Sequence, residues 1–389
     1  MWSTEDHPRE LLDPEWVRII RAGSRESDAT RRLSTGTLNL IYREDWLRVM
    51  VPVSLGGREW TLPRVVAFFE SLGWADGNLG WCVNLAAGAN MFSGYLEKEV
   101  ARAIFTGPEI WCAGSGAITG NAVPVAGGYE ISGHWKYASG SAYATHFTAN
   151  CLITGDGDHP LSPGEGPAFR SIIVPRGEVT VFDTWRTTGL KATSSNDFSM
   201  EQVFVPHERV FSLTGPSDFE SRTLYQFPFE ALAVVNMACM ATGITLHFID
   251  LFTQLMERKK PLHSESLLAN DTVVRERFRA VTEAFYHARR QMYESLEIAW
   301  DSCRERLSSL KADQRSLTVH ARCAAMAGRE VLYQLFQCCG MDILYQESEL
   351  NKTWRDMAAA SQHYLLGPLF RDNSAQDGPN EATKVRENI

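Results

Sequence analysis

The stretch Gly127-Gly128-Tyr129-Glu130-Ile131-Ser132-Gly133-His134-Trp135-Lys136-Tyr137-Ala138-Ser139-Gly140-Ser141 gathers residue types that could serve a flat aromatic cofactor. An indole such as Trp135 offers a face for stacking, while Ser139, Ser141 and nearby backbone amides can hydrogen-bond ring nitrogens and oxygens. The same pattern also describes a plain β-hairpin: a Gly-Gly turn, alternating apolar residues, a second turn at Gly133, and a strand ending in small hydroxyl residues, with Trp135 in the core. On pattern alone the plain hairpin is the better reading. The eight cysteines are scattered, and no CxxC pair or Cys/His cluster has zinc-ligand spacing, so no metal site is expected. Cys338 and Cys339 are adjacent but point in different directions on a helix, which argues against a redox pair. No GxGxxG opens a helix after a strand and no Walker-type lysine loop occurs, so a common dinucleotide or nucleotide site is absent.

The elements that must position these residues follow from periodicity. A chain of 389 residues is long enough for two or three domains or sub-domains. Residues 1–107 read as mostly helical, with Pro52 and Gly56-Gly57 marking a turn and the aromatics of Val65–Trp74 expected in the core. Residues 108–212 change to short alternating runs such as YEISG, HFTANCLI, FRSIIVP and FSMEQVFVP, which predict an antiparallel β unit. Thr154–Pro167 reads as a surface hairpin loop within it. Residues 213–389 return to amphipathic helices near Ala231–Arg258, Asp271–Cys303, Ser316–Cys339 and Leu350–Leu366, where Met237, Met240 and Met256 are packing residues; a frayed tail follows Asp372. Four such helices predict a bundle. Helices, then strands, then helices give an α+β class without βαβ alternation. The formal charge of −9, without a dense Lys/Arg run, argues against a nucleic-acid partner. No apolar run approaches the roughly 20 residues needed to span a bilayer and the first residues are charged, so a cytoplasmic protein is expected.

The hairpin resembles the Gly-Tyr-x-(Val/Ile)-(Ser/Thr)-Gly-x-(Trp/Lys)-x-(Phe/Trp)-x-(Ser/Thr) segment of the acyl-CoA dehydrogenase superfamily. Val51-Pro52 to Gly57, with Ala75 to Trp81, resembles the N-terminal region of the superfamily's monooxygenase branch. Thr184-Trp185, Gly189 to Asp197 and Val203 to Pro206 resemble the end of its β-domain, and Trp354-Arg355-Asp356 to His363 its last helices. The resemblance implies an N-terminal helical domain, a middle antiparallel β-barrel and a C-terminal four-helix bundle. Flavin then lies between them, against a neighbouring subunit of a homotetramer or homodimer. It makes Trp135, Ser139, Ser141, Ser115, Trp185, Thr193, Ser195 and Arg258 candidates for flavin contact.

Two departures bear on the branch. Many dehydrogenases of this superfamily carry a carboxylate base eight residues after the Asp of an Arg-Asp pair; here that place holds Tyr364, preceded by His363. A histidine at the end of Arg-Asp-x-x-x-x-x-x-His is instead similar to the two-component flavin monooxygenases. In those enzymes a separate reductase supplies reduced flavin (FAD or FMN), O2 adds to give a flavin hydroperoxide, and one oxygen passes to the substrate. The resemblance makes His363 the catalytic candidate, its imidazole titrating ordinarily near 6.5. Phenol-hydroxylating relatives often carry a substrate-facing His about eight residues after a Gly-Trp like Gly80-Trp81; here that place is Ala89, beside Asn90. Asn90 and Tyr364 are the candidate substrate contacts. The rival readings are an acyl-CoA dehydrogenase or oxidase with a relocated base, and a catalytically silent relative kept for binding or assembly.

Overall fold

The computed structural model describes residues 6–154, 169–213 and 222–367; the hairpin loop within 154–167, apart from its first residue, and the tail after Asp372 lie outside them. Five helices open the chain: α1 (Pro14–Thr30), α2 (Thr35–Arg43), α3 (Leu62–Ala75), α4 (Gly77–Asn90) and α5 (Lys98–Phe105). Their starts are written in the sequence, because Asp13 accepts from the Glu15 amide with Pro14 at the first helical position, and Ser34 caps α2 in the same way. Asp76 does so for α4, accepting from the amides of Asn78 and Leu79. The turn expected at Pro52 to Gly57 is a short 3-10 helix, Val53–Leu55, closed by Gly56 at φ 80°. α3 and α4 are buried along nearly their whole length, so they form the floor on which the other elements rest.

Seven strands follow: β1 (Cys112–Val125), β2 (Gly128–Ala138), β3 (His146–Ile153), β4 (Phe169–Pro175), β5 (Thr180–Phe182), β6 (Asn196–Pro206) and β7 (Val210–Phe211). They form one sheet in the order β5-β6-β2-β1-β3-β4-β7. The expectation of a purely antiparallel unit is corrected, because β1 and β3 run parallel, pairing Cys112 with His146. β5 and β7 stand at the ends of the strand order, so the sheet is open rather than closed on itself. Gly133 is not a turn either; it lies inside β2, opposite Gly120, where a side chain would meet the Gly120 backbone and the Trp135 ring.

The chain then returns to helices: α6 (Thr223–Gln226), α7 (Phe229–Arg258), α8 (Thr272–Arg304), α9 (Leu310–Cys339) and α10 (Glu349–Ala360). α10 ends before His363, which lies in the following turn rather than in a helix reaching Leu366. Among the described residues α7 is long and apolar enough to cross a membrane, but nearly all of that stretch is buried inside the protein. Met237, Met240 and Met256 on it are packed in the core. The buried Glu70 of α3 accepts from Arg289 and Tyr293 of α8 and from Thr242 of α7, tying these helices together. All described cysteines are free, Cys338 and Cys339 included.

Candidate functional site

Three parts of the chain meet at the start of α4: the residues 187–195 that lead into β6, the helix α10, and the turn after it. A buried ion triad holds them. Lys352 of α10 places Nζ 2.8 Å from both Asp76 Oδ2 and Asp356 Oδ2. Asp356 Oδ1 accepts from the Leu190 amide at 2.7 Å, and Asn78 bridges by donating to Asp356 Oδ2 at 3.1 Å while accepting from the Ala192 amide at 2.8 Å. Burial opposes the charge on Lys352, but the two carboxylates outweigh it and raise its pKa. Burial raises the Asp356 carboxyl, whereas at Asp76 the Lys352 ammonium overcomes burial and holds the carboxyl low. The contact is close enough that a Cβ on Gly189 would lie 1.9 Å from the Arg355 carbonyl oxygen.

So anchored, the loop presents a chain of hydroxyls. Trp81 Nε1 donates to Ser139 Oγ at 3.2 Å, Ser139 meets Ser195 at 2.7 Å, Ser195 meets Thr193 at 2.7 Å, and Thr193 donates to the Leu190 carbonyl at 2.8 Å. An indole N–H can only donate and a carbonyl can only accept, so the chain is polarised from Trp81 toward Leu190. Each hydroxyl has then spent its proton inside the protein, while its oxygen keeps a lone pair.

His363 stands beside this chain, its ring edge-on to Trp81 with centroids 5.7 Å apart. Its Nδ1 faces the Leu365 amide at 3.4 Å, a long hydrogen bond that leaves Nε2 to carry the proton of the neutral ring. The ring keeps part of its surface open, yet burial alone pushes its pKa down to about 4. It is therefore neutral at pH 7, a hydrogen-bond donor through Nε2–H and not a stored imidazolium.

The hydroxyl chain begins where β2 bulges. Trp135 pairs with Phe198 and Ala138 with Asn196, so the first strand spends one more residue than the second. The bulge puts Tyr137 at φ 67° and turns it outward, 66% exposed, with its ring against Trp185 at 6.2 Å. A bulky residue in the left-handed region is uncommon and needs support from its surroundings.

The other candidates fall into place around this cluster or outside it. Trp135 is corrected: it is fully buried, its face stacks on Phe198 at 5.2 Å and its Nε1 donates to the Asn150 carbonyl, so it offers no shelf to a ligand. Tyr137, two residues on, is the exposed aromatic that strand alternation concealed. Ser141 donates to the Ser194 carbonyl and accepts from Asn196, and Trp185 Nε1 donates to the Leu190 carbonyl, so both brace the loop. Ser115 is partly exposed on β1 and accepts from the Ala117 amide, apart from the hydroxyl chain. Arg258 is exposed at the last position of α7, and no hydrogen bond joins it to the cluster. Asn90 is corrected as a substrate contact: Nδ2 donates to the Leu47 and Ile110 carbonyls and Oδ1 accepts from Cys112, which occupies its amide. Tyr364 is 58% exposed next to His363.

These residues fit a flavin. A flat, mostly apolar ring matches the exposed Tyr137, and its ring N–H groups match hydroxyl oxygens that have only acceptor capacity left. Comparison with known proteins agrees in fold. A family model, acyl-CoA dehydrogenase, C-terminal domain, matches residues 235–368. An indole-3-acetate monooxygenase of Acinetobacter baumannii is 25% identical over 91% of this chain and 89% of its own length. The crystal structure of 3-HSA hydroxylase from Rhodococcus sp. RHA1 superposes with a TM-score of 0.82 at 19% identity, covering 94% of this chain and 95% of that one. XiaF from Streptomyces sp., solved with FADH2 and glycerol, gives a TM-score of 0.79 at 20% identity over 90% and 89% of the two chains. The chain has the acyl-CoA dehydrogenase fold, matches that family's C-terminal domain over residues 235–368, and is similar along most of its length to flavin-dependent monooxygenases.

Proposed function

We propose that this protein is the oxygenase component of a two-component flavin monooxygenase, taking reduced flavin, FAD or FMN, from a separate reductase and using O2 to oxygenate a small organic substrate. The observation that carries this reading is the state of the acids and bases around His363. Removing a proton beside a thioester needs a free carboxylate, and Tyr364 stands where a common base of the superfamily would. The nearby Asp356 is engaged by Lys352, Asn78 and the Leu190 amide. An imidazole with a pKa of about 4 is a poor base but a good neutral donor. The acyl-CoA dehydrogenase reading therefore lacks its chemistry. A silent relative would have no need to keep Tyr137 in a strained backbone beside a polarised hydroxyl chain.

When bound, the reduced flavin supplies the two electrons that activate O2. Ser139 Oγ, whose proton is directed to Ser195, would accept from a ring N–H of the reduced flavin and so help to hold it. Trp81 donates to that Ser139 and flanks His363, so it aligns both. His363 Nε2–H donates to an oxygen that gains charge, and its low pKa keeps it from delivering a proton too early.

We divide the chain at 1–107, 108–212 and 213–389, reading the open sheet as the counterpart of the superfamily's middle β-domain and α7 to α10 as its four-helix bundle. Val319, Met326 and Tyr333 of α9 are 57%, 50% and 63% exposed at seven-residue spacing, a stripe suited to a second copy, so we assign a homotetramer or homodimer. We place the protein in the cytoplasm. The reading is tested by supplying acyl-CoA thioesters with an artificial electron acceptor, and separately NADH, flavin, a flavin reductase and O2. Oxygen-dependent turnover only in the second assay supports it; acyl-CoA oxidation in the first refutes it.

A further inference from the structure

α10 carries three polar side chains on one face, and each fastens it to a different part of the chain. Glu349, Lys352 and Asp356 stand three and four residues apart, so they share a ridge with about 10 Å of helix rise between its ends. Lys352 meets Asp76 at the start of α4, and Asp356 accepts from the Leu190 amide at 2.7 Å. Arg355 beside them donates to the Thr188 carbonyl at 2.6 Å, so the loop 187–195 is tied to this helix at two points. The ridge's first residue, Glu349, turns instead to α7. Its Oε1 lies 3.1 Å from His247 Nε2, at ion-pair distance rather than in an aligned hydrogen bond. Ser348, the N-cap, makes no side-chain cap hydrogen bond, so this end of α10 is held by side chains of its first turn, Glu349 on His247 and Asn351 on the Ile343 carbonyl.

His247 is only 5% exposed. Burial pushes its pKa down, the Arg21 and Lys352 cations push the same way, and the Glu349 carboxylate opposes them. Contact with the ring in turn holds the Glu349 carboxyl low. Arg21 comes from α1, where its guanidinium lies over the Trp74 ring of α3 at 4.6 Å, and Glu349 and Lys352 come from α10. One turn on along α7, Asp250 is taken up by His7, Arg9 and Trp74, while α9 meets α7 through Gly328 against Thr245. A proton added to His247 therefore makes an enclosed cation, with two cations and one carboxylate acting on it, and water would hold that charge better.

We propose that His247 is a positioning residue: neutral, it seats the first turn of α10 on α7, and its protonation in acid unseats α10 and thereby loosens the loop 187–195 and the turn that carries His363. The sign follows from burial. In the folded protein its pKa lies below the ordinary 6.5, so an open form with His247 in water binds the proton more tightly. The contact is at full strength above about pH 6.5 and is lost as the pH falls through the lowered folded value. That the loop and the turn face a flavin rests on the monooxygenase reading; that α10 carries them does not.

The test is amide hydrogen exchange on the whole chain, comparing peptides that cover 187–195 and 349–366 with reference peptides from α8 and α9. Local opening exposes the first set alone, whereas a general loss of stability exposes both. At pH 7, His247→Leu should exchange at least about tenfold faster than the parent in the first set and at the parent's rate in the second. His247→Gln keeps a donor but takes up no proton, so it should stay within about threefold of the parent at pH 7, and at pH 5 the parent should exchange at least about threefold faster than this variant. In Glu349→Gln the His247 ring, followed by NMR of labelled histidine, should titrate at lower pH than in the parent, because the carboxylate that favours its charge is gone. The last two variants decide the matter if His247→Leu does not fold. Parent-like exchange of the first set in His247→Leu, faster exchange of both sets alike, an acid response in His247→Gln equal to the parent's, or an unmoved titration in Glu349→Gln would overturn the proposal. Reduced-flavin affinity should fall in step with loop protection on the same proteins. Exchange as expected with flavin affinity unchanged supports the role of His247 and removes the flavin reading of the loop.

Discussion

Replacing Lys352 by Met should show how far the loop of residues 190–195 depends on the buried triad. The ammonium lies 2.8 Å from each of two carboxylates, and all three side chains are buried. Its loss leaves two enclosed negative charges with the Ser24 hydroxyl, the Asn78 amide and backbone N–H groups as their only partners. Breaking a buried pair in this way costs about 3–5 kcal/mol. The cost should fall as pH falls. Without Lys352 the folded-state pKa of Asp356 rises further above its unfolded value, so the folded variant binds the extra proton. The penalty is full at pH 7 and shrinks as the pH drops through the raised pKa. Adding Asp76→Asn, whose amide can donate to Ser24, returns the site to its native charge of −1 and should recover at least half of the loss. Urea unfolding at pH 7 and pH 5 measures the energies, and anaerobic titration with reduced flavin measures the loop. The single variant should bind reduced flavin at least about tenfold more weakly, and the double variant should recover. A loss below about 1 kcal/mol, or unchanged flavin affinity in the single variant, would refute the claim that the triad positions residues 190–195.

Trp135→Ala should cost roughly 3–5 kcal/mol of stability as a core truncation, while the fraction that remains folded binds reduced flavin as the parent does; melting and flavin titration on the same samples separate the two. Tyr137→Gly should act in the opposite sense, gaining up to about 1 kcal/mol by relieving the positive φ yet weakening reduced-flavin binding by about 1–2 kcal/mol, as the same two assays report. His363→Ala should leave flavin binding intact and lower product yield by about 10²–10⁴-fold, with hydrogen peroxide released instead, measured as product against peroxide per flavin oxidised. Because its folded pKa of about 4 lies below the ordinary 6.5, the parent's yield should be flat from pH 8 to pH 6 and decline only toward pH 4. The same shift makes the unfolded state the better proton acceptor, so His363 should withdraw up to roughly 3 kcal/mol of stability as pH falls from about 6.5 to 4, a loss that His363→Ala should not show.

Much of the architecture was legible because its signals are local. The Gly127-Gly128 turn, with Gly127 at φ 84°, and the apolar periodicity of α7 to α9 each act within a few residues. What escaped depends on partners distant in sequence. The parallel pairing of β1 with β3 is a choice of neighbour that alternation does not encode. Trp135 lies in the core and Tyr137 faces outward because the bulge shifts the phase of β2, and a period-2 reading carries no sign of the slip. Asp356 looked like half of an Arg-Asp motif, yet its place in a triad depends on Asp76, 280 positions earlier in the sequence. The unusual acidity of His363 comes from burial after α10 has ended, where the sequence promised only an ordinary imidazole.

The most direct test of the account is rapid mixing of the protein with anaerobically reduced FAD or FMN against oxygenated buffer, followed by absorbance. A transient that differs from both reduced and oxidised flavin, outlives the oxidation of free reduced flavin, and decays to more peroxide in His363→Ala is the predicted result. Oxidation of the flavin at the same rate with and without the protein would contradict the account, as would reduction of bound oxidised flavin by an acyl-CoA thioester in the absence of oxygen.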